Sequence, residues 1–123
     1  MSARLVIADD SATILALVSL ALKKEGYEPV TATNGPDALA LIREHRPELV
    51  ILDALMPGMN GYDVCRALRE DVDALRPHVM MLTAGGREAD KTLASEVGID
   101  EFVTKPFSPS ALRARVREIL GDP

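Results

Sequence analysis

Short hydrophobic runs alternate along the chain with longer segments in which hydrophobic residues recur at helical spacing. Five runs have the length of β-strands and cover residues 4–8, 28–32, 49–52, 78–82 and 101–104. The third run, LVIL, is uninterrupted and bounded by turn residues, which is typical of a strand buried on both faces of a sheet. The second contains Pro29, which cannot donate a ladder hydrogen bond, so we expect this strand near a sheet edge.

The segments that follow these runs predict five helices. They cover residues 12–24, 36–45, 62–70, a weakly hydrophobic stretch after Gly85-Gly86, and 109–120. Ser11 is a suitable N-cap for the first helix, and Pro36 suits the first position of the second. Strict alternation with short links predicts an α/β fold, with a parallel sheet covered by helices on both faces. We expect residues 1–123 to form a single domain.

The composition narrows the class of protein. Hydrophobic residues make up 47% and charged residues 27% of the chain, as in a soluble globular domain. The net charge is -5 and no long basic run occurs, so we expect no direct nucleic-acid binding. The single cysteine, Cys65, cannot form an internal disulfide, and no hydrophobic stretch approaches the ~18 residues of a membrane span. These features predict a cytoplasmic protein without a membrane partner.

Polar side chains stand at the ends of four of the predicted strands. Asp9 and Asp10 follow the first strand and Asp53 the third. Thr83 follows the fourth strand and Lys105 the fifth. Since the carboxyl ends of parallel strands share one edge of a sheet, we expect three carboxylates, a hydroxyl and an ammonium group to converge there.

This set of groups suits phosphoryl transfer assisted by a metal ion. Three carboxylates held close together repel one another unless a cation lies among them. An all-oxygen site with few carboxylates suits Mg²⁺, which readily completes its shell with a phosphate oxygen, and Mn²⁺ could take its place. Lys105 supplies positive charge, Thr83 supplies a hydrogen-bond donor, and a carboxylate can itself accept a phosphoryl group. The residues are therefore consistent with an aspartyl-phosphate site.

With these motifs in place, the chain resembles the receiver domain of two-component response regulators, of which the chemotaxis receivers are one type. The matching motifs are Asp9-Asp10, Asp53 with Met56-Pro57 and Gly61 behind it, Thr83-Ala84, and Phe102 three residues before Lys105-Pro106. The resemblance extends over residues 4–120 and implies a flavodoxin-like, doubly wound sheet with strand order 2-1-3-4-5. It also implies a phosphorylation-dependent signalling switch and not an enzyme with turnover.

The resemblance further implies which residues form the phosphorylation site. Asp53 would be the phosphoacceptor and would receive its phosphoryl group from a sensor histidine kinase or a phosphotransfer protein. Asp9, Asp10 and Asp53 would hold Mg²⁺ together with the backbone carbonyl of Leu55. Lys105 would contact the phosphoryl group.

The same resemblance implies how the signal would leave the site. The peptide bond between Lys105 and Pro106 would be cis. Thr83 would move toward the phosphoryl group, and Phe102 would change from an exposed to a buried rotamer. The output would be read on the face formed by the fourth helix, the fifth strand and the fifth helix.

A homodimer through that face is one implied assembly. The residues that resemble the ion-pairing positions of dimerising winged-helix regulators are Lys91, Asp100, Glu101 and Arg115. Ala111 and Asp122 do not carry the charges that such regulators usually have there. A free-standing receiver and a receiver from a longer regulator or hybrid kinase therefore both remain open.

Two alternative functions also remain open. Phosphatases of the haloacid dehalogenase type form an aspartyl-phosphate as well. They place a second aspartate two residues after the nucleophile, where this chain has Leu55. The other alternative is a receiver that docks to its partner without being phosphorylated, although no member of the site is missing from the sequence.

Two positions are predicted to modulate dephosphorylation. In receivers, the positions of Leu55 and Gly85 flank the path of the attacking water. Neither residue has a side chain that can orient a water molecule, so we expect a long-lived phosphoryl group.

The first helix carries more hydrophobic surface than a core-facing stripe of ~100° requires. Leu17 or Leu20 is therefore expected to be exposed and available to a partner such as the kinase.

Overall fold

The computed structural model describes residues 3–71 and 76–123, which form five strands alternating with five helices. The strands are β1 (Leu5–Ala8), β2 (Val30–Ala32), β3 (Leu49–Asp53), β4 (His78–Thr83) and β5 (Glu101–Thr104). The helices are α1 (Ala12–Lys24), α2 (Gly35–His45), α3 (Gly61–Glu70), α4 (Lys91–Val97) and α5 (Pro109–Leu120), with a 3₁₀ turn at Gly86–Glu88 before α4. None of the helices in this part of the chain is long and apolar enough to cross a membrane.

The strands form one parallel sheet in the order β2-β1-β3-β4-β5, which confirms the predicted fold and strand order. Ala8 lies beside Leu52, and Asp53 lies beside Leu82. Strands β1, β3 and β4 therefore reach the same edge of the sheet almost in register. This register places the residues that follow each strand next to one another.

Strand β3 is the centre of the hydrophobic core, and all five of its residues are buried. Its side chains alternate between the two faces of the sheet, as the strand geometry requires. Val50 and Leu52 pack in the cluster that includes buried residues of α2, α3 and α4. Leu49 and Ile51 pack in the cluster that includes buried residues of α1 and α5. The continuous hydrophobic run thus reflects burial on both faces.

Several element boundaries differ from the sequence-based prediction. Strand β2 begins at Val30 and not at residue 28, because Pro29 has no amide hydrogen to donate to a neighbouring strand. Helices α2 and α3 each begin one residue earlier than predicted, after asparagine N-caps. Asn34 Oδ1 accepts a hydrogen bond from the Asp37 amide at 2.8 Å, and Asn60 forms a reciprocal capping box with the third residue of α3.

The predicted weak helix after Gly85-Gly86 is divided into the 3₁₀ turn and α4. Asp90 is the N-cap of α4, and its Oδ1 accepts a hydrogen bond from the Leu93 amide at 2.9 Å. The helix has seven residues, and Gly98, with φ +88°, caps its carboxyl end. Because only Ala94 and Val97 of α4 are buried, this helix contributes little to the core.

Helix α1 exposes part of its hydrophobic surface, as predicted. Leu17 is 43% exposed and Leu20 is 56% exposed, whereas Leu22 is fully buried. The broad hydrophobic stripe of α1 therefore exceeds what the sheet and α5 cover.

Leu22 and Leu20 provide a matched test of this packing. We expect Leu22→Ala to lower the free energy of unfolding by about 2–5 kcal/mol, because it leaves a cavity between α1 and the sheet. Leu20→Ala should change the free energy of unfolding by less than about 0.5 kcal/mol. Urea unfolding followed by circular dichroism measures both, and equal effects of the two substitutions would contradict the packing described.

Candidate functional site

Three carboxylates converge at the carboxyl edge of the sheet. Asp9 and Asp10 follow β1, and Asp53 is the last residue of β3. One oxygen from each of these residues can be chosen so that all three lie within 4.8 Å of one another. Asp9 and Asp53 are buried, whereas Asp10 is exposed. The predicted acidic cluster is thus formed by two buried carboxylates and one that faces solvent.

Local backbone contacts hold the two buried carboxylates in place. Asp9 Oδ1 accepts a hydrogen bond from the Ser11 amide at 2.9 Å, and Ser11 is also the N-cap of α1. The backbone of Asp53 lies directly against Gly61, where a Cβ atom would be 2.7 Å from Asp53 O. Glycine is therefore required at this position for the loop after β3 to fold back over the end of the strand.

Lys105 brings a positive charge to the two buried carboxylates. Its Nζ atom lies 3.2 Å from Asp9 Oδ2 and 3.2 Å from Asp53 Oδ1. The Lys105 amide donates a hydrogen bond to Thr83 O at 2.7 Å, which fixes the chain where β5 ends. The Lys105–Pro106 peptide bond is cis. The ammonium group is thus placed between the ends of β1 and β3.

Thr83 is the last residue of β4 and is fully buried. Its Oγ1 accepts a hydrogen bond from the Gly85 amide at 3.0 Å. A hydroxyl group can accept and donate at once, so this oxygen keeps a proton to donate. Thr83 comes one residue after Leu82, the partner of Asp53 in the sheet register, and so stands at the same edge.

Burial and charge repulsion together alter the ionisation of the site. Burial and, to a smaller extent, the neighbouring charge of Asp9 raise the pKa of Asp53, Lys105 opposes both effects, and the resulting pKa is about 6. Partial burial lowers the pKa of Lys105, but its contacts with Asp53 and Asp9 outweigh this and leave the pKa above its ordinary value. The site therefore combines an unfavourably buried carboxylate with a firmly protonated lysine.

The carboxylates could hold a metal ion. Asp9 Oδ2 is buried and, apart from its ion pair with Lys105 Nζ at 3.2 Å, has no hydrogen-bond partner among the described residues. Buried polar atoms are normally satisfied, so an unsatisfied carboxylate oxygen inside an acidic cluster fits a cation ligand. The donors are all oxygen atoms, which hard divalent cations prefer.

Leu55 and Gly85 lie on the two loops beside the site. Leu55 is 58% exposed, and its amide is 3.5 Å from Asp53 Oδ1. Gly85 has φ +87° and ψ -166°, a conformation that residues with a side chain rarely adopt. A Cβ atom at position 85 would make only an ordinary contact with the Thr104 side chain, at 3.7 Å. The backbone conformation, and not a lack of space, therefore favours glycine there.

Phe102 lies in β5 beside Met81 of β4. It is partly buried and packs against the hydrophobic cluster that includes residues of α3 and α4. Phe102 is therefore in contact with the same layer as α4 and is neither fully exposed nor fully buried.

The comparison with known protein families gives a match over most of the chain. A family model described as the response regulator receiver domain matches residues 5–117 of the chain. The chain belongs to the response regulator receiver family. As a receiver, it is a domain of two-component signalling and not of metabolism, and receivers of this family interact with histidine kinases. The haloacid dehalogenase alternative is not supported, since Leu55 offers no second carboxylate.

Individual relatives agree with this assignment. The probable transcriptional regulator ycf27 of Porphyra purpurea is 42% identical over 117 residues, which cover 95% of this chain and 47% of that protein. The DNA-binding response regulator MtrA of Mycobacterium leprae is 42% identical over 120 residues, which cover 98% of this chain and 52% of that protein. The receiver chain thus spans about half the length of the curated relatives it matches.

A solved chemotaxis protein has a similar structure. The structure of CheY4 of Vibrio cholerae matches the receiver with a TM-score of 0.86 at 32% sequence identity, covering 98% of this chain and 100% of that chain. The similarity therefore includes the whole of the α/β sandwich.

The raised pKa of Asp53 predicts a pH-dependent effect of Asp53→Asn in metal-free receiver. As the pH rises, the unfolded chain releases the Asp53 proton near an ordinary aspartate pKa of about 3.9, whereas the folded protein releases it near its pKa of about 6. The folded protein therefore loses stability as the pH rises between these two values. Asparagine at position 53 does not ionise, so Asp53→Asn does not lose stability in this way. The stability advantage of Asp53→Asn over the native receiver should therefore grow by about 2 kcal/mol between pH 4 and pH 7.

Urea unfolding of the two proteins in chelator, at several pH values, measures this difference. A difference in unfolding free energy that does not vary with pH would mean that Asp53 is not an unfavourably buried carboxylate.

Proposed function

We propose that this receiver accepts a phosphoryl group on Asp53 from a histidine kinase or a phosphotransfer protein. The observation that carries the proposal is the position of the Asp53 carboxylate, which lies at the end of the central strand, 3.2 Å from Lys105 Nζ and within the acidic cluster. In the transfer, a bond forms between an Asp53 oxygen and phosphorus, and the bond from phosphorus to the donor nitrogen breaks. The reaction needs accurate placement and charge neutralisation more than covalent chemistry from the protein.

The residues around Asp53 have separate roles in this proposal. Asp9, Asp10 and Asp53, with the carbonyl of Leu55, would hold Mg²⁺, or Mn²⁺ in its place. The bound ion would supply positive charge to the phosphoryl oxygens. Lys105, already paired with the buried carboxylates, would transfer its contact to a phosphoryl oxygen.

The switch would follow from the charge that phosphorylation adds at the sheet edge. The Thr83 hydroxyl, which keeps a proton to donate, would turn toward the phosphoryl group, and Phe102 would move further into the layer that contains α4. Helix α4 has little buried surface and is the element that such a change displaces at least cost. The output face is therefore proposed to be α4, β5 and α5.

A homodimer through this face is part of the proposal, with one qualification from the structure. Arg115 on α5 is already paired within the chain, with Glu101 Oε2 at 2.8 Å and with Glu118 at 3.2 Å. Lys91 and Asp100 are exposed. Asp100 Oδ2 nevertheless accepts a hydrogen bond from the Val79 amide at 2.7 Å. A dimer would thus use Lys91 directly and would require Asp100 and Arg115 to share or exchange their partners.

The wider setting is also a proposal. We propose that residues 1–123 act as a single receiver domain in the cytoplasm, where a reduced Cys65 is expected. The relative MtrA is named a DNA-binding response regulator. With a net charge of -5, this receiver is proposed to contribute no nucleic-acid contact of its own.

Intact mass after incubation with Mg²⁺ and acetyl phosphate tests the proposal. The native receiver should gain one phosphoryl group, and both Asp53→Asn and a metal chelator should abolish the gain. Asp122→Asn is the control, because the Asp122 side chain is 92% exposed and lies outside the acidic cluster. This variant should be phosphorylated like the native chain.

A mass increase that persists in Asp53→Asn would show that another residue is the acceptor. No increase with acetyl phosphate or with a phosphorylated histidine donor would instead favour the alternative of a receiver that docks without phosphorylation.

The exposed Leu55 predicts slow loss of the phosphoryl group. We expect Leu55→Asn to speed dephosphorylation by up to about tenfold, because the side-chain amide of asparagine beside Asp53 can orient the attacking water. A single hydrogen bond of about 1 kcal/mol that forms in the transition state has an effect of that order. Leu20→Asn is a matched control, since Leu20 is 56% and Leu55 is 58% exposed. Phosphate release from purified phosphorylated receiver measures the rates, and an unchanged rate in Leu55→Asn would remove Leu55 from this role.

A further inference from the structure

Tyr62, the second residue of α3, is hydrogen-bonded to the segment that leads into α4. The residue is only 8% exposed. Its hydroxyl donates a hydrogen bond to Glu88 O and accepts one from the Asp90 amide at 2.9 Å. Asp90 is the N-cap of α4. One hydroxyl group therefore fixes two backbone groups at the start of α4.

The segment between Thr83 and α4 has few other contacts that determine its position. The 3₁₀ turn buries none of its residues, and α4 buries only Ala94 and Val97. A helix of seven residues is not stable by itself in water. The contacts that α4 makes with the rest of the receiver therefore decide where it lies.

Tyr62 is also next to the residue that fixes the start of α3 against the phosphoacceptor. The Gly61 amide donates a hydrogen bond to Ala54 O at 3.1 Å, and the Gly61 Cα packs against Asp53 O, leaving no space for a Cβ atom. Two adjacent residues thus contact the backbone around Asp53 on one side and the loop before α4 on the other.

Helix α3 contacts the other end of α4 as well. Arg69 Nε donates a hydrogen bond to Val97 O at 3.2 Å. Val97 is the last residue of α4, so α3 holds this helix at both ends. Of the two residues, Tyr62 is buried and Arg69 is exposed, and Tyr62 lies at the end of α3 nearer to the phosphorylation site.

We infer that Tyr62 is a positioning residue that couples the position of α4 to the backbone around Asp53. In the unphosphorylated receiver it restrains the loop before α4. On phosphorylation it transmits displacement at the sheet edge to α4 through α3, in parallel with Thr83. The transmission rests on the proposed function, whereas the restraint in the unphosphorylated protein does not.

Tyr62→Phe isolates the hydroxyl because it keeps the ring that packs in the core. Tyr27→Phe is the matched control, since the chain has two tyrosines and Tyr27 is also buried, 3% exposed, with its hydroxyl donating to Gly121 O. Tyr27 packs in the other hydrophobic cluster, on the face of α1 and α5. Each variant thus loses one buried hydroxyl that donates to a carbonyl, on opposite faces of the sheet.

Amide hydrogen exchange followed by NMR tests the restraint. In unphosphorylated Tyr62→Phe, the amides of residues 88–97 should exchange on the order of fivefold faster than in the native receiver, with Asp90 affected most. The amides of β1 and β3 should not change. In Tyr27→Phe, residues 88–97 should exchange as in the native receiver.

Exchange in the presence of Mg²⁺ and excess acetyl phosphate tests the transmission, with the bound phosphoryl group counted by intact mass in the same sample. Phosphorylation should change exchange over residues 88–97 in the native receiver and in Tyr27→Phe. In Tyr62→Phe the change should fall to less than about half, at equal phosphoryl content.

Two results would overturn the inference. Native exchange rates over residues 88–97 in unphosphorylated Tyr62→Phe would show that the hydroxyl does not restrain α4. A full phosphorylation-dependent change in Tyr62→Phe would show that the Tyr62 hydroxyl does not transmit the signal. A failure of the proposed function would give a different result, because no phosphoryl group would then be found on the native receiver. The exchange rates of the unphosphorylated variants would still show whether the Tyr62 hydroxyl restrains α4.

Discussion

The contact of one lysine with two buried carboxylates is the constraint on which this receiver depends. Lys105 reaches Asp9 and Asp53 from the end of a different strand, so the three side chains meet only if β1, β3 and β5 end at one edge in the correct register. Each buried charge would be unfavourable alone, and the ammonium group offsets much of the repulsion between the carboxylates. The parallel sheet is therefore the scaffold of the site, because it holds these opposite charges together at one edge.

The rigid and the loosely held parts of the receiver are different elements of the fold. The end of β3 is enclosed by core residues and by Gly61, whereas α4 is short, sparsely buried and held by side chains of α3. A charge added at the rigid edge cannot easily deform the sheet, because packed interiors resist small displacements. In the proposed switch, the displacement would therefore be taken up by the elements with the least buried surface.

Most of the fold followed from sequence pattern, because the central strands are buried on both faces and the helices have clear caps. The strand-end residues followed too, since parallel topology brings them to one edge. The boundaries of β2 and of the 3₁₀ turn did not, because short elements depend on backbone hydrogen bonds more than on hydrophobic pattern. The contacts of Tyr62 with Glu88 and Asp90 had no local signal, since they join segments more than 25 residues apart through a single hydroxyl.

The division of the core into two layers has a consequence for how such receivers diversify. Helix α1 packs on the face that includes Leu49 and Ile51, and α4 packs on the face that includes Val50 and Leu52. The buried residues of α1 and those of α4 belong to different clusters, separated by the sheet. The effects on stability of substitutions in the two helices should therefore be nearly additive. Epistasis between the two surfaces is therefore weak, and a duplicated receiver can acquire a new recognition surface on one helix while the other drifts independently.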